Sequence, residues 1–321
     1  MSEQSDSERN GMRTDGGQRG AGGERLADRS REMDAHRDRD KVGEALSSQR
    51  FQMLTDIARD LAGDVVFPTC FDTAVHLRRE LQNPEVPIAR IAKLVSVEPL
   101  IAAKLLHIAN SAYHNPAGAS IRGLPEAITR LGVSLVRTTA LAVAMNQLMR
   151  SRDMAVFSEL TRDLWEHSIK TAAAARILAR KRTRINPDEA MLAGLVHDLG
   201  AFYMLYRAMQ YAELRARPES MRYLIVHWHE SIGVTLLNAL GLPAEIVDAT
   251  IDHDQPRPMP TTLRTLADVI YVANSLTCEN FSWLYPDLDA GLAESGLARI
   301  SFAEILPEID VNAREMMAVY S

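Results

Sequence analysis

Apolar side chains recur at every third and fourth position along most of this chain, and that spacing leaves few architectures open. After Ser48, a candidate N-cap, Phe51, Leu54, Ile57, Ala58 and Leu61 mark one face of a helix that Gly63 ends. The same grammar predicts helices over residues 71–81, 88–95, 99–109, 124–131 and 133–149, with Pro or Gly between them. No run alternates apolar and polar residues with the period of two that a half-buried strand requires, and strands do not alternate with helices as in a doubly wound sheet. The predicted fold class is all-α. A polar break at 151–154 precedes a second group of helices. Within it, Asn186-Pro187-Asp188-Glu189 combines a capping side chain, a proline at the first helical position and acids in the positive first turn. That helix runs through Leu192, Leu195 and Val196 towards the pair His197-Asp198. Gly241-Leu242-Pro243 ends one later helix and begins another, and a proline-rich break at 255–260 precedes the last ones. No repeat of fixed period occurs.

Residues 1–46 are rich in Gly, Ser, Asp, Glu and Arg and poor in large apolar side chains. Such a stretch buries too little surface to offset its ordering entropy, so a disordered charged tail is expected there, ahead of a leading helix at 47–62. The formal net charge is -6 and the pI about 5.9, so no global positive field exists to hold a phosphate backbone, and nucleic acid is excluded as a partner. Cys70 and Cys278 lack the spacing of a zinc site and read as reduced thiols packed as small hydrophobes, which fits a cytoplasmic location. The first twenty residues contain no apolar stretch for a signal peptide. The greasiest segment, 171–179, is interrupted by Arg176 and falls short of the ~20 apolar residues of a membrane span.

Two ordered blocks carry a resemblance. The first comprises Glu98-Pro99-Leu100, Lys104-Leu105-Leu106, Ala109-Asn110-Ser111-Ala112, Ile121, Glu126-Ala127-Ile128 and Leu131-Gly132. The second comprises Leu164-Trp165-Glu166-His167-Ser168, the run Ala193 to Gly200 with His197-Asp198 inside it, His229-Glu230-Ser231-Ile232-Gly233, and Leu240-Gly241-Leu242-Pro243. Together they resemble the HDOD family, relatives of the HD and HD-GYP phosphohydrolases. The resemblance implies an N-terminal helical bundle (63–150) packed on an HD-like helical bundle (151–260), with a C-terminal helical extension (261–321). It also implies a bacterial signal-transduction output module that binds signalling proteins, often in cyclic-di-GMP pathways, with the groove between the bundles as a docking surface. Read without the family, Asn110 and Ser111 cap or turn the chain, and His107 and His114 are ordinary helix or loop histidines.

The second block carries any chemistry. HD phosphohydrolases gather histidines and carboxylates on a divalent ion that polarises phosphate and activates water. The resemblance places His167, His197, Asp198, His229 and His253 at such positions, as ligands for an optional iron, manganese or magnesium ion. Adjacent helical residues point about 100° apart, so His197 and Asp198 share a site only near a helix end or with other helices around them. His227, two residues from His229, faces elsewhere. Each polar residue also has a plainer reading: His167 as a hydrogen-bonded core histidine, and His197-Asp198 as a buried pair that stiffens a helix junction. Two departures point away from catalysis. Where active HD enzymes place an aspartate in a "VAD" context, this chain has Val272-Ala273-Asn274, and a neutral amide should weaken ion binding. Asp268, one or two turns earlier, is the alternative carboxylate. After His253 the chain reads Asp254-Gln255-Pro256, without a "GYP". The expectation is a partner-binding module with no catalytic residue and no required cofactor. The alternative is a metal-dependent phosphohydrolase or phosphodiesterase acting on nucleotides or cyclic dinucleotides.

Overall fold

In the computed structural model the described residues are 43–62, 69–81, 83, 85–255, 257–277, 296 and 298–320, and every regular element among them is helical. Residues 1–42 of the expected tail, and Cys278, lie outside them. The chain divides into two compact units, Met1–Ser47 and Ser48–Ser321. In the first, the described residues 43–47 hold the opening turn of a helix, where the Ser47 amide donates to the Gly43 carbonyl at 2.9 Å. The helices in chain order are α1 Glu44–Ala62, α2 Asp72–Glu80, α3 Ile88–Val95, α4 Pro99–Ala109, α5 Leu124–Met149, α6 Ser158–Arg182, α7 Pro187–Val196, α8 Leu199–Ala208, α9 Ala212–Ala216, α10 Pro218–Ala239, α11 Ala244–Asp248, α12 Leu266–Thr277 and α13 Leu306–Tyr320.

The opening helix corrects one expectation. It begins at Glu44, so Ser48 lies inside it, and Phe51 is 73% exposed. Phe51 and Ala58, two turns apart, share the solvent side, while Met53 and Ile57 take the core positions. Within α5 the two expected helical runs, 124–131 and 133–149, meet at Gly132, whose non-helical φ of 78° and ψ of 163° separate them and are open to glycine at little cost. α5, and not 171–179, is the helix among the described residues that is long and apolar enough to cross a membrane by length and composition. Its most apolar window is 67% buried inside the protein, so it serves as a core helix here.

Local polar chemistry follows the sequence closely elsewhere. The Asn186 side chain accepts the Asp188 amide at 2.9 Å with Pro187 in the first turn of α7. Asn110 does as a turn residue should: its amide donates to the Leu106 and Ile121 carbonyls and its oxygen accepts the Ile121 N–H, each at 2.8 Å. Ser111 donates to the Ile108 carbonyl at 2.7 Å. Half-buried Cys70 forms no disulfide, and burial pushes its thiol up to about 11. α6 is the central strut of the second unit, with α7, α12 and α13 packed along it, while α8 packs on α10 and α4 on α5. α13 turns a single stripe inward, Ile309, Ala313, Met316 and Tyr320, and Glu308 pairs with Arg180 and Lys181 of α6.

Candidate metal centre

Four segments deliver the polar cluster. His167 lies within α6. His197 caps the C-terminus of α7, and Asp198, at φ −101° and ψ 17°, is the residue from which α8 starts. The chain therefore breaks between helices at the dipeptide, which lets neighbouring side chains converge. His229 comes from α10. His253 and Asp254 follow α11 in a turn where Asp252 adopts a φ of 56°, alone among the described non-glycine residues. The Asp252 amide donates to Glu230 Oε2 at 2.8 Å, which ties this turn to α10 beside His229.

Glycines set the approach of the carriers. A Cβ on Gly200 would lie 1.9 Å from the His229 carbonyl oxygen and 2.6 Å from the Gly233 nitrogen, so α8 and α10 meet backbone to backbone. A Cβ on Gly194 would lie 2.9 Å from the Ala172 Cα and from the Thr171 oxygen, which fixes α7 against α6 in the same way.

The histidines meet through their Nε2 atoms. His167 and His197 are 3.1 Å apart and His229 and His253 3.4 Å apart. Asp198 stands between the pairs. Its Oδ2 lies 3.2 Å from His197 and 3.7 Å from His167, and its Oδ1 lies 3.3 Å from His253 and 3.5 Å from His229. Asp254 Oδ2 completes the cluster, 3.2 Å from His229 and 3.4 Å from His253. Three rings are oriented from behind, their Nδ1–H groups donating to the carbonyls of Gly194 (2.8 Å), Ile225 (2.6 Å) and Thr250 (2.7 Å) for His197, His229 and His253. This is the outer-shell arrangement that points an imidazole lone pair at a metal.

The field differs across the cluster. Burial opposes the charge on His167, His229 and His253. At His253, Asp254 and Asp198 outweigh it and raise the pKa to about 10, and the same two carboxylates raise His229. At His167 burial prevails, reinforced by His197, and the pKa falls to about 4. Asp198 and Asp254 are held well below the usual carboxylate range because the neighbouring histidines overcome the cost of burial. A cation is thus favoured beside His229 and His253.

All five residues expected from the sequence, His167, His197, Asp198, His229 and His253, come together, and the cluster forms two overlapping donor groups that share Asp198. Asp254 is the cluster member that sequence reasoning missed, although a second His-Asp dipeptide at 253–254 was there to be read. Asn274 is at the site, but as a donor: its amide gives hydrogen bonds to Asp254 Oδ1 at 2.7 Å and the His253 carbonyl at 3.2 Å. Asp268 is elsewhere. Its Oδ2 accepts the amides of Arg264 and Thr265, and its own amide donates to the Thr265 hydroxyl, a reciprocal capping box at the start of α12. His227 is exposed and its ring lies against Tyr223, outside the cluster as expected.

The donor set suits a divalent ion. With their Nδ1 protons committed, His229 and His253 as neutral rings turn lone pairs to each other and to two carboxylates, an arrangement that takes a positive charge, either protons on the rings or an ion that displaces them. Imidazole with carboxylate fits zinc, iron or manganese better than magnesium or calcium, which prefer oxygen alone.

A family model described as HDOD domain matches residues 67–256. Among solved structures, a Shewanella amazonensis SB2B protein whose name places it with the metal-dependent phosphohydrolases superposes with a TM-score of 0.62 at 24% identity, covering 85% of this chain and 100% of its own. A second protein from the same organism, named as a phosphohydrolase, gives 0.54 at 18% identity over 83% and 98%. At those identities the likeness is one of fold. An uncharacterized protein of Treponema pallidum (strain Nichols) is 24% identical over 214 residues, 62% of this chain, which spans 40% of that relative's length.

Proposed function

Because the chain belongs to the HDOD domain family, we propose that it is a signal-transduction output module that acts by binding protein partners and carries a buried divalent-metal centre. The observation that supports this reading is the burial of the donors. The side chains of His167, His197, Asp198, His229 and His253 are 0–4% exposed and that of Asp254 is 11% exposed. Hydrolysis requires a coordination position open to water and within reach of a phosphate, whereas a centre closed on all sides stabilises the fold around it. A bound ion would supply Lewis acidity only if one ligand moved away. The partners are signalling proteins, including those of cyclic-di-GMP pathways.

The competing reading, a phosphohydrolase, has one observation in its favour: the two donor groups share a carboxylate, as two-metal phosphate-cleaving sites do. Purified protein loaded with manganese, iron or zinc and supplied with nucleotides or cyclic dinucleotides separates the two. The expected result is retained metal with negligible turnover. Robust hydrolysis abolished by Asp198→Ala would establish the enzyme instead.

A further inference from the structure

The donors divide the cluster into unequal halves. In one half, His167 Nδ1 lies 3.5 Å from the Thr277 hydroxyl, which is itself 2.8 Å from the Thr171 hydroxyl. The Thr277 hydroxyl gives its one proton to the Ala273 and Asn274 carbonyls, each at 3.1 Å, so its oxygen accepts from Thr171 and from His167 Nδ1–H. His167 Nε2 then faces His197 Nε2 at 3.1 Å, with Asp198 Oδ2 as the one carboxylate oxygen of a group of three donors among the described residues.

The other half is fuller, four donors with two carboxylates. As neutral rings, His229 and His253, whose Nδ1 protons go to carbonyls, turn Nε2 lone pairs to each other, to Asp198 Oδ1 and to Asp254 Oδ2, and only a positive charge, carried by the rings themselves or by an ion, reconciles them. Those five separations run from 3.2 to 3.5 Å. An ion bound tetrahedrally at about 2.0–2.1 Å sets its ligands about 3.3–3.4 Å apart, so the four atoms already stand near the corners of such a shell. Two carboxylates neutralise one divalent charge, and no further anion is needed in the buried interior.

Building on the metal-centred reading above, we propose that a single zinc-class ion resides in the cradle of Asp198 Oδ1, His229 Nε2, His253 Nε2 and Asp254 Oδ2. We further assign Asn274 as the positioning residue that holds Asp254 in it. The His167–His197 pair buttresses Asp198 from its other oxygen and is no second resident site. The Asn274 amide, by donating to Asp254 Oδ1, leaves Oδ2 turned to the histidines. A carboxylate at 274 would face the Asp254 carboxylate and repel it. On this proposal the amide supports the ion, where the sequence alone led to the opposite expectation.

Elemental analysis after zinc loading and desalting, with zinc-affinity titration and the visible spectrum of the cobalt-substituted full chain, tests this. Wild type should hold one ion, and cobalt should give the intense bands of tetrahedral coordination. His167→Gln should keep both. Asp254→Asn, nearly isosteric, should lose the ion, while Asn274→Ala and Asn274→Asp should bind about 10–100-fold more weakly, with a changed cobalt spectrum in whatever is bound. Two ions per chain, or one that His167→Gln removes and Asp254→Asn keeps, overturns the cradle while leaving a metal protein. A wild-type chain that takes up no ion overturns the metal-centred reading as well.

Discussion

Replacing Gly200 by alanine tests how far the centre depends on two backbones in contact. The new Cβ would sit 1.9 Å from the carbonyl oxygen of His229, and an ordinary contact begins near 3.4 Å. α8 and α10 must therefore part by roughly 1.5 Å, because the obstructing atoms are backbone and cannot rotate away. That movement carries His229 from Asp198, and their present 3.5 Å separation would approach about 5 Å, beyond what one ion can bridge with bonds of about 2.0–2.2 Å. Overpacking of this kind costs about 1–3 kcal/mol, or about 3–10 °C in melting temperature for a unit of this size. Gly233→Ala is the internal comparison. Its Cβ would meet the Gly200 nitrogen at 3.4 Å, an ordinary contact, and alanine favours a helix by up to about 1 kcal/mol. Thermal unfolding and metal content should thus fall together in Gly200→Ala and hold in Gly233→Ala. A Gly200→Ala protein that melts with wild type and keeps its ion would refute the reasoning.

Two further expectations concern stability. In the metal-free chain His253 titrates at about 10, above its unfolded value of about 6.5, so its contribution is complete below pH ~6.5 and is lost as pH rises towards 10. His167, lowered to about 4, does the opposite: its contribution is present above pH ~6.5 and disappears as pH falls towards 4. Melting temperature against pH in chelator should peak between these limbs, and a bound ion should flatten the alkaline one. An alkaline limb that zinc leaves untouched would argue against an ion beside His253. On α1, Ile57→Ala should cost about 2–5 kcal/mol in denaturant unfolding, whereas Phe51→Ala should stay within about 0.5 kcal/mol. Equal costs would show that the outward face of α1 is covered.

The helices could be read from the chain because three-and-four spacing, proline starts and glycine stops are local, and Asn186 and Gly132 act within a few residues of themselves. The first turn of α1 could not, since Glu44 to Ser47 carry no capping signal that outranks Ser48. At the centre, residue type and order sufficed for the histidines and Asp198. Asp254 is hidden from sequence reading because the HD pattern puts its second carboxylate on α12, where this chain has Asn274. That amide and that carboxylate, 20 residues apart, meet only when the turn at Asp252 swings the dipeptide inward. Asp268 is a capping residue and not a ligand of the cluster, and the Thr265-to-Asp268 spacing already spells that cap.

The cluster is also a seam between two stretches of local chain. His167 and His197 are 30 residues apart, on α6 and α7, which a short link joins into a hairpin, and His229 and His253 are 24 apart, on α10 and the turn beyond α11. Each pair can assemble early in folding, since nearby segments find one another at small entropic cost. Asp198 then joins the two, reaching forward from the first hairpin to the histidines of the second. The centre therefore closes last, and a bound ion would act as a latch on the meeting of two preformed pieces rather than as a seed for either.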